Sequence, residues 1–150
     1  MRLLRNFDEY VIDGVVKKRT PDIGRARSLI EQTENRSKFL AEMSEKIGLT
    51  DENANYFIEY SYDVLIELVR AKLLLDGFSS SGERAHEAEV AYMRNMGFSE
   101  HDARFINDLR FYRNGIKYYG KSFGKDYAEK VLVFLDEMYP KLRDIVGKIA

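Results

Sequence analysis

The stretch Phe105-Ile106-Asn107-Asp108-Leu109-Arg110-Phe111-Tyr112-Arg113-Asn114-Gly115-Ile116-Lys117-Tyr118-Tyr119-Gly120 reads as a helix and sets the architecture. Phe105, Leu109, Tyr112, Ile116, Tyr119 and Phe123 recur at steps of four and three, the spacing of a single helical face. That arc is expected to face the core. Arg113, Asn114, Lys117, Lys121 and Tyr118 all lie within about 80° of Arg110 on a wheel of 100° per residue. Cations and an amide therefore share the opposite face, with no carboxylate among them. Most charged faces are simply solvated. Here, however, Gly115 sits mid-helix at a cost of about 1 kcal/mol relative to Ala, which favours close approach by another backbone, for instance from a second copy of the chain. Guanidinium forks and lysine charges on such a face fit an anion, phosphate above all.

Helical punctuation repeats on both sides of this segment. Ser99-Glu100-His101-Asp102 resembles a capping box with Asp in place of Glu, and a turn is expected between Gly120 and Lys125. Upstream, Leu3, Leu4, Phe7, Tyr10, Val11 and Val15 predict a first amphipathic helix within residues 1–19. Thr20-Pro21-Asp22 reads as an N-cap, a first-turn proline and an acid, opening a long helix that Gly48 stops. Thr50 or Asp51 opens the next, which carries Phe57, Tyr60, Val64, Leu68, Ala71 and Leu75 and ends at Gly77. Phe78 to Arg84 is the clearest loop. A short helix runs from about Ala85 to Met96. The last begins near Asp126, with Pro140 expected to kink or interrupt it. No linker or repeat divides the chain. The expectation is one all-α domain over 1–150, an up-and-down bundle of four to five helices with 1–19 as an additional helix.

Composition excludes several chemistries. The 150 residues contain no cysteine, which removes disulfides, thiolate metal sites and a cysteine nucleophile. The two histidines, His86 and His101, are too few for a histidine cage, so neither a metal nor a cofactor is expected. Both read as surface or cap residues, with Glu83, Glu87 and Glu89 as a solvated acidic helix start. Net charge is -1, so contact with nucleic acid needs a local patch. Lys17-Lys18-Arg19 is one short basic run, read mainly as solvated. Of Tyr56, Tyr60 and Tyr62, at least Tyr60 is expected in the core. The longest apolar runs fall well short of the ~20 residues of a membrane span, and no signal-peptide pattern opens the chain. It reads as cytoplasmic and not as a membrane protein.

The string Leu109 to Gly120 resembles the signature region of HEPN domains, in which an Arg, often followed by Asn, precedes a His by four to six positions. Tyr62-Asp63-Val64-Leu65 through Asp76-Gly77-Phe78 resembles the second long helix of that family and its exit. The likeness covers roughly residues 20 to 148. It implies a two-fold dimer with the motif helices facing each other. It also implies either a metal-independent ribonuclease or a binding module that has lost cleavage, often encoded beside a nucleotidyltransferase in toxin–antitoxin or defence systems. Arg113 and Asn114 match the motif. Positions 118 to 120, where the His is expected, hold Tyr118, Tyr119 and Gly120. Tyr118, with an ordinary pKa near 10, is a poor base at neutral pH. The expected catalytic set is therefore Arg113, Asn114 and Tyr118, the expected RNA- or phosphate-binding set Arg110, Arg113, Lys117 and Lys121. A non-cleaving protein that binds RNA or a partner is favoured over a ribonuclease using Tyr118 or a distant His, and over a purely structural interaction module.

Overall fold

A computed structural model describes residues 4–147. In chain order it contains α1 (Phe7–Ile12), β1 (Val16–Lys18), α2 (Ile23–Lys46), α3 (Ala54–Leu75), β2 (Phe78–Ser80), α4 (Ala85–Asn95), α5 (Glu100–Tyr119) and α6 (Lys125–Gly147). The chain is thus mostly helical, as its periodicity predicts. α3 is the central element because its sequence is apolar almost all round: Phe57, Ile58, Tyr62, Val64, Leu65, Ile66, Leu68, Val69 and Leu73 are all buried. A helix of that kind must be covered on every side. α2 and α6 flank it, and α4 and α5 pack against it and against each other. Each large side chain so enclosed contributes about 1.5–3 kcal/mol.

Several local expectations are corrected. Residues 1–19 do not form a single helix: α1 stops at Ile12, and Lys17 and Lys18 lie on β1, which pairs antiparallel with β2. Leu3 lies outside the described residues. The segment read as a plain loop after Gly77 supplies the second strand. Gly77 makes this pairing possible. Its φ is +84°, and a Cβ there would stand 2.8 Å from the Arg19 carbonyl oxygen. Only glycine leaves room for the chain leaving β1 to lie over the end of α3, where the Arg19 N–H donates to the Gly77 carbonyl at 2.7 Å.

Helix starts also move. Asp22, not Thr20, caps α2 and accepts from the Arg25 N–H at 3.1 Å. Asn53 caps α3, tied to Thr50 by bonds of 2.8 and 3.2 Å in opposite directions. Ser99 caps α5 as expected, accepting from the Asp102 N–H. α6 continues through Pro140. That residue is exposed, as is Asp136 one turn earlier, so the carbonyl that loses its helical donor lies on the solvated side. Tyr60 is half-exposed, and of Tyr56, Tyr60 and Tyr62 it is Tyr62 that lies in the core. Among the described residues no helix is long and apolar enough to cross a membrane.

Candidate functional site

The face of α5 around Arg110 is the buried one. Ala103, Ile106 and Asn107 share it and are enclosed, and the Arg110 and Arg113 side chains are only 11% and 13% exposed. Most of the aromatic arc is half-buried, against a different neighbour. Phe105 stacks on Phe134 of α6 with ring centroids 4.1 Å apart, and Tyr112 meets Tyr127 at 5.3 Å and Phe123 at 5.1 Å. α5 is therefore sandwiched, which a single-sided wheel does not anticipate. Its last turn projects past these contacts. Tyr119, placed in the core by its spacing, is 78% exposed, and Tyr118 is 65% exposed.

Arg110 and Arg113 survive burial because α3 and α4 bring carboxylates to them. Arg113 Nη2 lies 3.3 Å from Asp63 Oδ1, and its Cζ stands 5.6 Å from the centre of the Tyr62 ring. Its Nε is buried with no hydrogen-bond partner. Arg110 donates through Nε and Nη2 to Asn107 Oδ1 at 3.2 Å and approaches Glu87 Oε1 at 3.8 Å. Glu87 in turn accepts from the Tyr10 hydroxyl at 3.4 Å. Beside them Arg70 clasps the fully buried Glu89 through Nε at 2.5 Å and Nη2 at 3.0 Å. Glu87 and Glu89 are therefore internal charges, not the solvated acids their position implied.

His86 joins the same cluster. Its Nδ1 lies 3.1 Å from the Tyr62 hydroxyl, and the two rings are nearly parallel with centroids 6.0 Å apart. Burial drives the Tyr62 hydroxyl well above the ordinary tyrosine value, so it keeps its proton. The hydroxyl and Nδ1 share one hydrogen bond, in which the hydroxyl donates when the ring hydrogen is on Nε2 and accepts when it is on Nδ1. Burial first, and then the guanidiniums of Arg70, Arg113 and Arg110, push the imidazole down to about 4. His86 is neutral at pH 7. Sequence spacing gave no hint of this, because the histidine reaches the arginines from another helix. His101 remains exposed on α5.

The depressed value has a sign for stability. The unfolded chain takes up a proton near pH 6.5 while the folded chain resists it down to about 4. Stability from the neutral ring is therefore complete above pH 6.5 and lost as pH falls toward 4. With the side chain 42% exposed, solvent screening reduces the effect to about 1 kcal/mol. Urea unfolding between pH 7.5 and 4 is expected to show this loss, and His86→Gln to flatten it. An identical profile in the variant would contradict the assignment.

The remaining sequence candidates gather at the end of α5. Within the chain, Gly115 is approached closely by Lys121. The Lys121 N–H donates to the Gly115 carbonyl at 3.1 Å, and its stem lies 3.4 Å from where a Cβ would stand. Gly120, with φ of +64°, turns the chain back to permit this. Lys117 and Lys121 are exposed, with Lys117 Nζ 5.6 Å from the centre of the Tyr118 ring. Asn114, Tyr118, Tyr119, Phe111 and Lys121 surround an open hollow of about 500 Å³. The predicted cationic face thus divides into two buried arginines and two solvated lysines. Among the described residues no grouping of His, Asp and Glu is suited to a metal ion. No sequence-family model and no curated protein matches the chain.

Proposed function

We propose that this protein is a non-cleaving binding module of the HEPN kind that holds single-stranded RNA on the exposed end of α5. The observation that carries this reading is the alternation of solvated cations and aromatic rings there. Lys121 lines one concave surface with Phe111, Tyr118 and Tyr119, and Lys117 stands beside it with its Nζ 5.6 Å from the centre of the Tyr118 ring. Unpaired bases stack on such rings at about 1–3 kcal/mol per base, and lysines meet the phosphates between them. Arg110 and Arg113 serve the fold, each already engaged by partners within it. The resemblance adds a two-fold dimer, readable as sedimentation at twice the 17.5 kDa chain mass. A nucleotidyltransferase remains the candidate protein partner.

Fluorescence anisotropy with a labelled oligoribonucleotide at several salt concentrations tests the reading. Tyr118→Ala with Tyr119→Ala is expected to weaken binding ten-fold or more, by about 1–3 kcal/mol for each stacked base lost. Lys117→Ala with Lys121→Ala should flatten the salt dependence by about 1.4 in log K against log salt. Undetectable binding, or binding indifferent to both pairs, rejects it. A second reading, metal-independent ribonuclease, is favoured by one observation: His86 and Arg113 both contact Tyr62. It requires cleavage in EDTA to 2′,3′-cyclic phosphate ends, abolished in His86→Ala. A ring pushed down to about 4, with Nδ1 already bonded to Tyr62, is a poor base and places this reading second.

A further inference from the structure

The basic run Lys17-Lys18-Arg19 takes no part in the α5 surface, but its strand β1 pairs with β2, which lines a second polar hollow. Lys17 on β1 stands directly opposite Ser79 on β2. Next to β2, a hollow of about 190 Å³ is lined by Arg25, Arg70, Ser79, Ser80 and Glu89, with Phe78 among its apolar residues. Arg70 spends Nε and Nη2 on Glu89, and its Nη1 makes no hydrogen bond among the described residues. The Arg25 guanidinium and the Ser79 hydroxyl make none there either, whereas the Ser80 hydroxyl donates to Glu89 at 3.4 Å. Glu89 is neutralised by Arg70, so Arg25 leaves the lining with one net positive charge.

Arg25 stands beside the Asp22 cap and within electrostatic reach of Glu89, which offset only part of the helix dipole it meets. It occupies the first turn of α2, a turn that holds no acidic residue. The helix dipole there disfavours a cation by about 0.3–1 kcal/mol. An anion beside Arg25 would relieve that cost and meet the free guanidinium and hydroxyl donors at once. The space is below the roughly 300–1,000 Å³ of pockets that enclose whole organic ligands, so it suits a single oxyanion group. We propose that this hollow binds a phosphate group, held by Arg25, Arg70 and the hydroxyls of Ser79 and Ser80.

Calorimetric titration of the intact chain with inorganic phosphate at low salt tests the site. A dissociation constant near or below about 1 mM is expected. Arg25→Gln, an exposed position whose substitution leaves the core intact, should weaken it at least five-fold, and Ser79→Ala to a smaller degree. Lys117→Ala should leave it unchanged, which separates this site from the α5 surface. A second arm compares an oligoribonucleotide with and without a 5′-phosphate. Tighter binding of the phosphorylated strand that Arg25→Gln removes identifies a nucleic-acid end as the source. Equal binding, with inorganic phosphate still captured, identifies free phosphate. No saturable signal up to about 20 mM phosphate, or equal affinity in Arg25→Gln, overturns the proposal.

Discussion

Replacing Arg70 by methionine is expected to remove about 3–5 kcal/mol of stability at pH 7.5. Methionine keeps much of the apolar stem, so the change isolates the guanidinium. The loss arises because Glu89 is fully buried and both its oxygens rely on Arg70. Burial already raises the Glu89 carboxyl above its ordinary value, and the Arg70 hydrogen bonds oppose that rise. Without them the folded state holds a proton on Glu89 more tightly than the unfolded chain does. For a carboxyl raised in this way, stability is present at low pH and lost as pH rises through the folded value. The variant should therefore recover relative to the parent as pH falls from 7.5 toward 5. Urea unfolding of both proteins at each pH measures this. A difference below about 1 kcal/mol, or one that does not change with pH, contradicts the account.

The size of that effect follows from how α4 is held. It has 11 residues, too few to be helical alone. Its apolar residues Ala88, Val90, Ala91 and Met93 enter the core, and its polar residues are tied outward in every direction. Glu89 binds Arg70, Tyr92 donates to Asp76, and Arg94 pairs with Glu100 while reaching the Arg5 carbonyl at 2.9 Å. His86 and Glu87 add Tyr62 and Tyr10. α4 packs against both α3 and α5, and its Glu87, together with Asp63 of α3, meets the α5 arginines.

The long elements were legible because their apolar residues repeat over many turns. α2, α3, α5 and α6 all fall where that periodicity and the glycines place them. The short strands were not legible: Val16-Lys17-Lys18 and Phe78-Ser79-Ser80 pair only because Gly77 admits the Arg19 carbonyl, a tertiary fact. The orientation of α5 was misread for a related reason. A wheel assigns one side to the core, and the arginines appeared to define the outside. Only the arrival of Asp63 and Glu87 from other helices makes the Arg110 side internal. Tyr119 failed in the opposite direction, since its spacing is right but no neighbour extends far enough to cover it. Lys117, Lys121 and Tyr118 were placed correctly on the surface because the end of a helix has little to bury it. His86 was beyond reach, its partner Tyr62 being on a different helix.

Tyr62 carries the second large effect, and two substitutions there separate packing from chemistry. Tyr62→Ala is expected to cost about 3–5 kcal/mol, since a fully enclosed ring leaves a cavity that the surrounding helices close only in part. Tyr62→Phe keeps the ring beneath Arg113 and against His86 and removes one hydrogen bond, which predicts a loss near 1 kcal/mol. The two readouts then diverge. Losing the hydroxyl removes the bond it shares with Nδ1, so the His86 titration, followed by NMR, should move from about 4, and an upward move identifies Nδ1 as the acceptor in the neutral ring. RNA affinity should stay within about two-fold of the parent, because the stacking and phosphate contacts lie on the exposed end of α5. If Tyr62→Phe instead created or enhanced metal-independent cleavage, the freed imidazole would be acting as a base and the binding-only reading would fail. If it abolished RNA binding while the fold stayed intact, the nucleic acid would be meeting the buried cluster itself. Conversely, a stable variant with a shifted histidine and unchanged RNA affinity assigns the cluster to holding α3, α4 and α5 together and leaves recognition to the lysines and rings beyond it.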